Sequence, residues 1–487
     1  MMKKSGAGLS RRAFLGAGAV LGASALLAPT RTGQARVPAP FAPTRTVALK
    51  AGEAELKLLG PDRPATRILA YDGEPFRTLR LPRGTRLQAT FLNGMHEGST
   101  LHFHGIRMPN EYDGVPTLTQ PLVQPGGSFV HLLPLDDPGT FFFHPHCDET
   151  GQAGRGLVGV LIVEDPRDPA FDAEHVLTLK DWRLADDGGF LELSEPNGAS
   201  RVGTFGATRT VNGAVSLNLT APAGGDVRLR ILNVDSTRIM DIGVEGGEAW
   251  LIAVDGHALR PVRLDDLPDG VWRMGPAQRI DVHLRMPRDG SPVQVGDYRA
   301  ADIYHFATIA AEGKVARPRK GPLALPKPEL PRPDMKKAER FSFTLQQATD
   351  AAVKDIALPP DDPLAKALLD SLCVGSTTYW GIDSESWPTG SRRNVPPPLA
   401  RMTTGRSYAV EIKNETRFPH PVHLHGHAFE VLSSSLDRLP RHFADTVLVQ
   451  PGEAVTVAFV AAPGDWVFHC HILEHMETGM MGWFRIV

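Results

Sequence analysis

Three stretches of the chain share one pattern of alternating apolar and polar residues, and each ends at an asparagine. They are Leu87-Gln-Ala-Thr-Phe-Leu-Asn93, Val227-Arg-Leu-Arg-Ile-Leu-Asn233 and Tyr408-Ala-Val-Glu-Ile-Lys-Asn414. A period of two predicts half-buried β-strands, and the asparagine predicts the turn that closes each of them. A second repeat runs beside the first. Gln124-Pro125-Gly126 returns as Gln450-Pro451-Gly452, and Pro138-Gly139 ahead of Phe143-His144 returns as Pro463-Gly464 ahead of Phe468-His469. All of these lie 321 to 326 residues apart, so the outer thirds of the chain read as copies of one unit. No long amphipathic helical pattern intervenes. The chain is therefore read as all-β, with three consecutive β-sandwich domains at 45–166, 170–325 and 335–487. The Pro-punctuated stretch 164–169 and the Pro- and Lys-rich stretch 317–337 would be the linkers.

The three units diverge after the asparagine. Nine residues after Asn93 comes His102-Phe-His104, and nine after Asn414 comes His423-Leu-His425. Nine after Asn233 comes Ile242, with Val244 in the second place. The middle unit keeps the strand and lacks the histidines.

Composition sharpens this picture. The 487 residues are 42% hydrophobic and 22% charged, as in a folded globular protein. A net charge of −3 offers no basic field for nucleic acid. Gly (48) and Pro (42) favour short strands and turns. Three cysteines are too few for a disulfide scaffold. Histidine stands out: of 18, ten fall in four short clusters. At the start of the chain, Lys3 and Lys4 precede Ser10-Arg11-Arg12-Ala13-Phe14-Leu15 and an apolar run to about Ala28. That is a twin-arginine export signal, assigned to residues 1–35, and it predicts a periplasmic mature chain with no membrane span.

The clusters are His102-Phe-His104, His144-Pro-His146, His420-Pro-Val-His423-Leu-His425 and His469-Cys470-His471, the last succeeded by His475 and Met480. Imidazole, thiolate and thioether together suit copper better than zinc, which would take four closed tetrahedral ligands. On a strand, residues i and i+2 share a face, so His469 and His471 should point one way and Cys470 the other. Cys470, His420, His475 and Met480 then fit a trigonal His₂Cys site with a weak axial methionine. The other eight imidazoles, two pairs from each outer unit, are too many for one metal and fit three. They belong at the interface of the outer units.

These residues resemble the multicopper oxidases, a family that includes laccases and a bacterial copper-efflux oxidase. The resemblance covers nearly the whole mature chain and implies cupredoxin-like Greek-key sandwiches. It also implies four coppers per chain: one type 1, one type 2 and a type 3 pair. Carried over, His420, Cys470, His475 and Met480 bind the type 1 copper, Met480 having the family's spacing from Cys470. His102 and His423 bind the type 2 copper; His104, His144, His146, His425, His469 and His471 bind the type 3 pair. The family's activity is to take electrons singly from a reductant and pass four to O₂, making water. Asp113 matches an acidic residue that relatives place beside the cluster, although Tyr112-Asp113-Gly114 also reads as an ordinary turn. Many relatives carry a carboxylate directly after the type 1 histidine. Here that place is Met476, which leaves Glu477, one residue on, as the candidate second proton donor.

Among reductants, phenols or aromatic amines rank ahead of Cu⁺, because the efflux relative's methionine-rich insert has no counterpart among these 12 methionines. A copper-free structural or cell-division protein on the same fold would have lost ligands, and all twelve positions are filled. A monomer is expected. His131, His257, His427 and His442 read as structural, and Trp380, Trp387 and Trp466 as packing. Cys147 reads as a buried thiol and not as half of a disulfide with Cys373.

Overall fold

The structure, a computed structural model, describes residues 41–314, 319–348, 378–383, 385–387, 395–436 and 439–487. The proposed export signal and Cys373 lie outside these residues. The fold is all-β and cupredoxin-like, and its sheets come in three pairs along the chain: four and four strands, then six and five, then six and five. No helix among the described residues is long and apolar enough to cross a membrane.

The repeated strand is the axis of each unit. Thr85–Asn93 pairs in parallel with Arg45–Leu56 and antiparallel with Ser128–Leu135. Asp226–Asn233 does the same with Ala173–Trp182 and Arg279–Arg285. Ser407–Asn414 does so with Glu339–Gln347 and Ala454–Val460. Alternation buries one face of the first strand, where Leu87, Ala89 and Phe91 are fully enclosed.

The terminal asparagine is repeated for a reason that its contacts supply. Asn93 Nδ2 donates to the carbonyls of Glu97 and Val123, and its Oδ1 accepts from Met95 N. Asn233 binds Arg238 O, Met274 O and Asp235 N in the same manner. Asn414 binds Phe418 O, Val449 O and Thr416 N. One side-chain amide therefore closes the turn that leads from one sheet to the other. Beyond that turn, the outer units place His102–His104 and His420–Leu424 in the second sheet of each pair. The middle unit places Met240–Glu245 there, and its Ile242 is wholly buried in the apolar core. The position that carries a histidine in the outer units carries core packing in the middle one.

Replacing Asn233 with Ala leaves two carbonyls and one N–H without their partner in a buried site. The expected loss is about 2–4 kcal/mol of stability. It is to be read by denaturant unfolding of the metal-free protein. A loss below about 1 kcal/mol would remove the asparagine from its closing role.

Candidate metal centre

Strand pairing brings the histidines together. His102 is paired with His144 across Gly139–His144, and His423 with His469 across Gly464–Cys470. His425 and His471 come directly after their strand ends, and His146 comes two residues after its own. Two nitrogen contacts run from His425 Nε2, one to His146 Nε2 at 3.2 Å and one to His469 Nε2 at 3.1 Å. The His102 and His425 rings are 4.0 Å apart, and those of His104 and His423 are 3.8 Å apart. Each of these contacts except His425 to His469 joins the first outer unit to the last.

The outward nitrogens of six of these rings are tied to acceptors, and this fixes their tautomers. His102 Nδ1 donates to Asp113 O, His144 Nδ1 to Pro145 O, His423 Nδ1 to Asp445 O and His469 Nδ1 to Cys470 O. His425 Nδ1 donates to Asp113 Oδ2. His104 is turned over: Nε2 donates to Asp445 Oδ1. The inward nitrogens then carry lone pairs. His102 Nε2, His104 Nδ1, His144 Nε2, His423 Nε2 and both nitrogens of His471 are buried with no hydrogen-bond partner. Orphaned buried nitrogens are costly unless something binds them, and triads such as His102–His104–His144 and His146–His425–His469 hold donor atoms within 4.8 Å of one another. The donor set fits metal ions.

Cys470 faces away from this chamber. Its Sγ lies 3.5 Å from His420 Nδ1 and 3.7 Å from His475 Nδ1. The far nitrogens are again tied: His420 Nε2 to Thr416 Oγ1 and His475 Nε2 to Arg201 O, both at 2.8 Å. Met480 is buried beside them and joined to both elements by backbone hydrogen bonds, N to His475 O and O to Cys470 N. None of the twelve side chains is more than 4% exposed. Burial holds His104, His144, His146, His420, His423, His425 and His471 well below the usual histidine range. It holds His469 at about 4 and His475 at about 3. Burial also pushes the Cys470 thiol upward, so the free sulfur is protonated and a bound cation would have to displace the proton.

The surrounding groups decide how firmly the rings are held. Asp113 receives His102 on its carbonyl and His425 on its carboxylate. Asp445 receives His423 on its carbonyl and His104 on its carboxylate. Each aspartate thus holds one ring of its own unit and one of the other. Arg279, from the middle unit, grips both Asp445 oxygens at 2.9 and 2.7 Å. Only glycine fits between them at position 105: φ is +84°, and a Cβ would lie 2.5 Å from Asp445 Oδ2 and 2.6 Å from Arg279 Nη2. Glu149 is fully buried, 3.2 Å from His146 Nδ1 and 3.5 Å from His144 Nδ1. Burial, then Glu477, raises its carboxyl well above the normal range. Glu477 accepts from Thr150 N in the helical turn that begins at Glu149, and burial, then Asp148, pushes it to about 7.

Sequence reading missed Asp445, Arg279, Glu149 and Arg201. It also treated Trp380 as plain packing, whereas its ring lies 4.5 Å from His475 and 5.2 Å from His420. One expectation is overturned. Cys147 is disulfide-bonded and not a free thiol; strand alternation places a side chain on a face without saying what meets it there.

The middle unit also covers the sulfur site. Its segment after Glu195 reaches over His475: Ala199 O accepts from Trp380 Nε1, Arg201 O accepts from His475, and Thr204 binds Glu474 through N and Oγ1.

His131, His257 and His427 are also fully buried, and burial lowers each to about 4. An unfolded chain takes up these protons near pH 6.5, and the folded chain does not until about pH 4. Their contribution is complete above 6.5 and is lost as pH falls toward 4, on the order of 3 kcal/mol each at most. The unfolding midpoint of metal-free protein should therefore drop steadily across that window; a flat profile would contradict the neutral burial.

The sequence matches the multicopper oxidase family over residues 57–168 and again over 374–487. The fold is similar to the crystal structure of a multicopper oxidase from Pseudomonas thermotolerans, with 32% identity, 92% of this chain and 100% of that one covered, and a TM-score of 0.80. A multicopper oxidase from Pseudomonas parafulva gives 32%, 90%, 100% and 0.76. Multicopper oxidase MmcO of Mycobacterium tuberculosis is 27% identical over 519 aligned positions, which span 97% of this chain and 95% of that protein.

Proposed function

The chain belongs to the multicopper oxidases, copper-dependent oxidoreductases that use O₂, and on that premise we propose that it oxidises phenols or aromatic amines one electron at a time, in the manner of a laccase. The twelve side chains of the two sites are proposed as the ligands: His420, Cys470, His475 and Met480 for one copper, and the eight paired histidines for three. Copper, when bound, supplies one-electron redox chemistry at the sulfur site and four-electron reduction of O₂ at the histidine chamber.

The chain's own residues set the terms for that chemistry. Cys470 is joined by peptide bonds to His469 and His471 on either side, so a few covalent bonds link the sulfur site to the chamber. The acceptors behind His102, His104, His144, His423, His425 and His469 hold their lone pairs inward and prevent those rings from turning. Burial shields both sites from bulk solvent. Reduction of O₂ consumes protons, and three carboxylates touch the rings: Asp113 at 2.9 Å from His425 Nδ1, Asp445 at 2.8 Å from His104 Nε2 but already gripped by Arg279, and Glu149 at 3.2 Å from His146 Nδ1. Glu477, tied to the Glu149 turn, stands one step behind. Asp113 and Glu149 are proposed to pass protons inward, with Glu477 feeding Glu149.

The observation that carries the reductant is the cover over His475. Residues 196–205 hold no methionine, cysteine or histidine with which to capture Cu⁺. The mature chain is proposed to be exported to the periplasm by the twin-arginine route, on the motif at Arg11-Arg12; the Cys147 disulfide fits an oxidising compartment.

Cys470→Ser is expected to abolish the visible thiolate-to-copper absorption and the oxidase activity. His423→Ala should keep the colour and lose O₂ uptake, because it strips the chamber and spares the sulfur site. Colour retained in the first variant, or lost in the second, would reverse the division of ligands. Oxygen uptake by the copper-loaded enzyme with a methoxyphenol and with Cu⁺ tests the reductant; faster turnover of Cu⁺ would replace the phenol reading with a cuprous oxidase.

A further inference from the structure

Beside the covered sulfur site lies a surface cavity of about 200 Å³. Val202, Phe205, Ile239 and Pro419 give it apolar walls, and Arg238 and Arg299 supply guanidinium groups. Two of the wall residues are chain neighbours of the site. Pro419 precedes His420, and Val202 comes after Arg201, whose carbonyl accepts the His475 Nε2 hydrogen bond. Val202 and Phe205 remain 40% and 39% exposed, unusual for large apolar side chains, so the walls are open to solvent.

The charges here are unevenly satisfied. Arg238 is fully used: it binds Asp181 and Gly206 O and lies over the Phe205 ring at 4.7 Å. Arg209 faces Asp297 and stacks on Tyr304. Asp297, the one carboxylate among the described residues lining the cavity, already accepts two backbone N–H groups as well. Arg299 is different. The contact its guanidinium makes among the described residues is 3.5 Å to Asp241 Oδ1, and Asp241 already holds Arg273 on both oxygens at 2.8 and 2.9 Å. Arg299 therefore presents donors that no group among the described residues fully engages, at the rim of an apolar slot.

Resting on the phenol-oxidase reading, we propose that this cavity seats the reductant and selects phenols that carry an anionic substituent, typified by a hydroxybenzoate, with the carboxylate on Arg299 and the ring against Phe205, Val202, Ile239 and Pro419. Each phenol gives up one electron and its hydroxyl proton, becoming a phenoxyl radical. The proton leaves to solvent, and the electron leaves through the Arg201 carbonyl and its hydrogen bond to His475. Four such events, with four protons, turn one O₂ into two waters. In this arrangement the reductant never touches the histidine; a peptide carbonyl of the ligandless unit stands between them.

Binding and turnover are tested separately. Calorimetry with 3,4,5-trimethoxybenzoate, which has no hydroxyl to oxidise, should show binding, and 1,2,3-trimethoxybenzene should bind more weakly. Arg299→Gln should weaken the benzoate about tenfold, the size of one charge-assisted hydrogen bond, and should narrow its advantage over the neutral ring. Val202→Trp, at an exposed position that tolerates bulk, should block both ligands. In turnover, Arg299→Gln should raise KM for 4-hydroxy-3,5-dimethoxybenzoate more than for 2,6-dimethoxyphenol. Equal benzoate affinity in wild type and Arg299→Gln overturns the selection. Unchanged phenol oxidation in Val202→Trp overturns the cavity as the seat and leaves the phenol-oxidase reading standing. Wild-type protein that binds the benzoate and oxidises neither phenol overturns that reading, and with it the reductant's place in the cavity.

Discussion

Two aspartates exchanged between the ends of the chain hold this structure's chemistry in place. Asp113 and Asp445 each accept one imidazole from their own unit on a carbonyl and one from the other unit on a carboxylate. The exchange does two things at once. It locks the outer units to each other across more than 300 residues of sequence, and it commits the outward ring nitrogens, so the inward ones must be lone pairs. Desolvation of so many neutral imidazoles is unfavourable by itself. It is tolerated because one nitrogen of most of these rings is satisfied by protein and the other is presented to a metal.

The middle unit has lost the ligands and taken up the bracing. Its core fills the equivalent histidine position with Ile242. In exchange it sends Arg279 to pin Asp445 and the segment after Glu195 to cap His475. Position 203 shows how tight that cap is: φ there is +96°, and a Cβ would meet Thr237 Cγ2 at 2.0 Å and Glu474 Oε2 at 3.0 Å. A unit without the paired histidines thus braces the histidine chamber and covers the sulfur.

Much of this was legible in the sequence because strand chemistry is local. The period of two located the three axial strands, and the asparagines marked their turns. The i, i+2 rule separated Cys470 from His469 and His471 without any knowledge of the partner strands. The neighbours of those side chains stayed hidden. Asp445 lies 341 residues from His104, and Arg279 lies 166 from Asp445; no periodicity links them. Glu149 looked like one acid in Asp148-Glu149, and only folding buries it against two imidazoles. Trp380 carried no motif at all. Cys147 misled because its local sequence does not show which side chain it meets.

The reciprocal clasp also imposes an order on biogenesis. During synthesis, the first pairs of imidazoles emerge hundreds of residues before the second, so a nascent chain offers half a coordination shell with its braces missing. Such a half-shell has neither Asp445 to orient His104 nor Arg279 to hold Asp445. The fully braced set of imidazoles therefore exists only once all three units have docked.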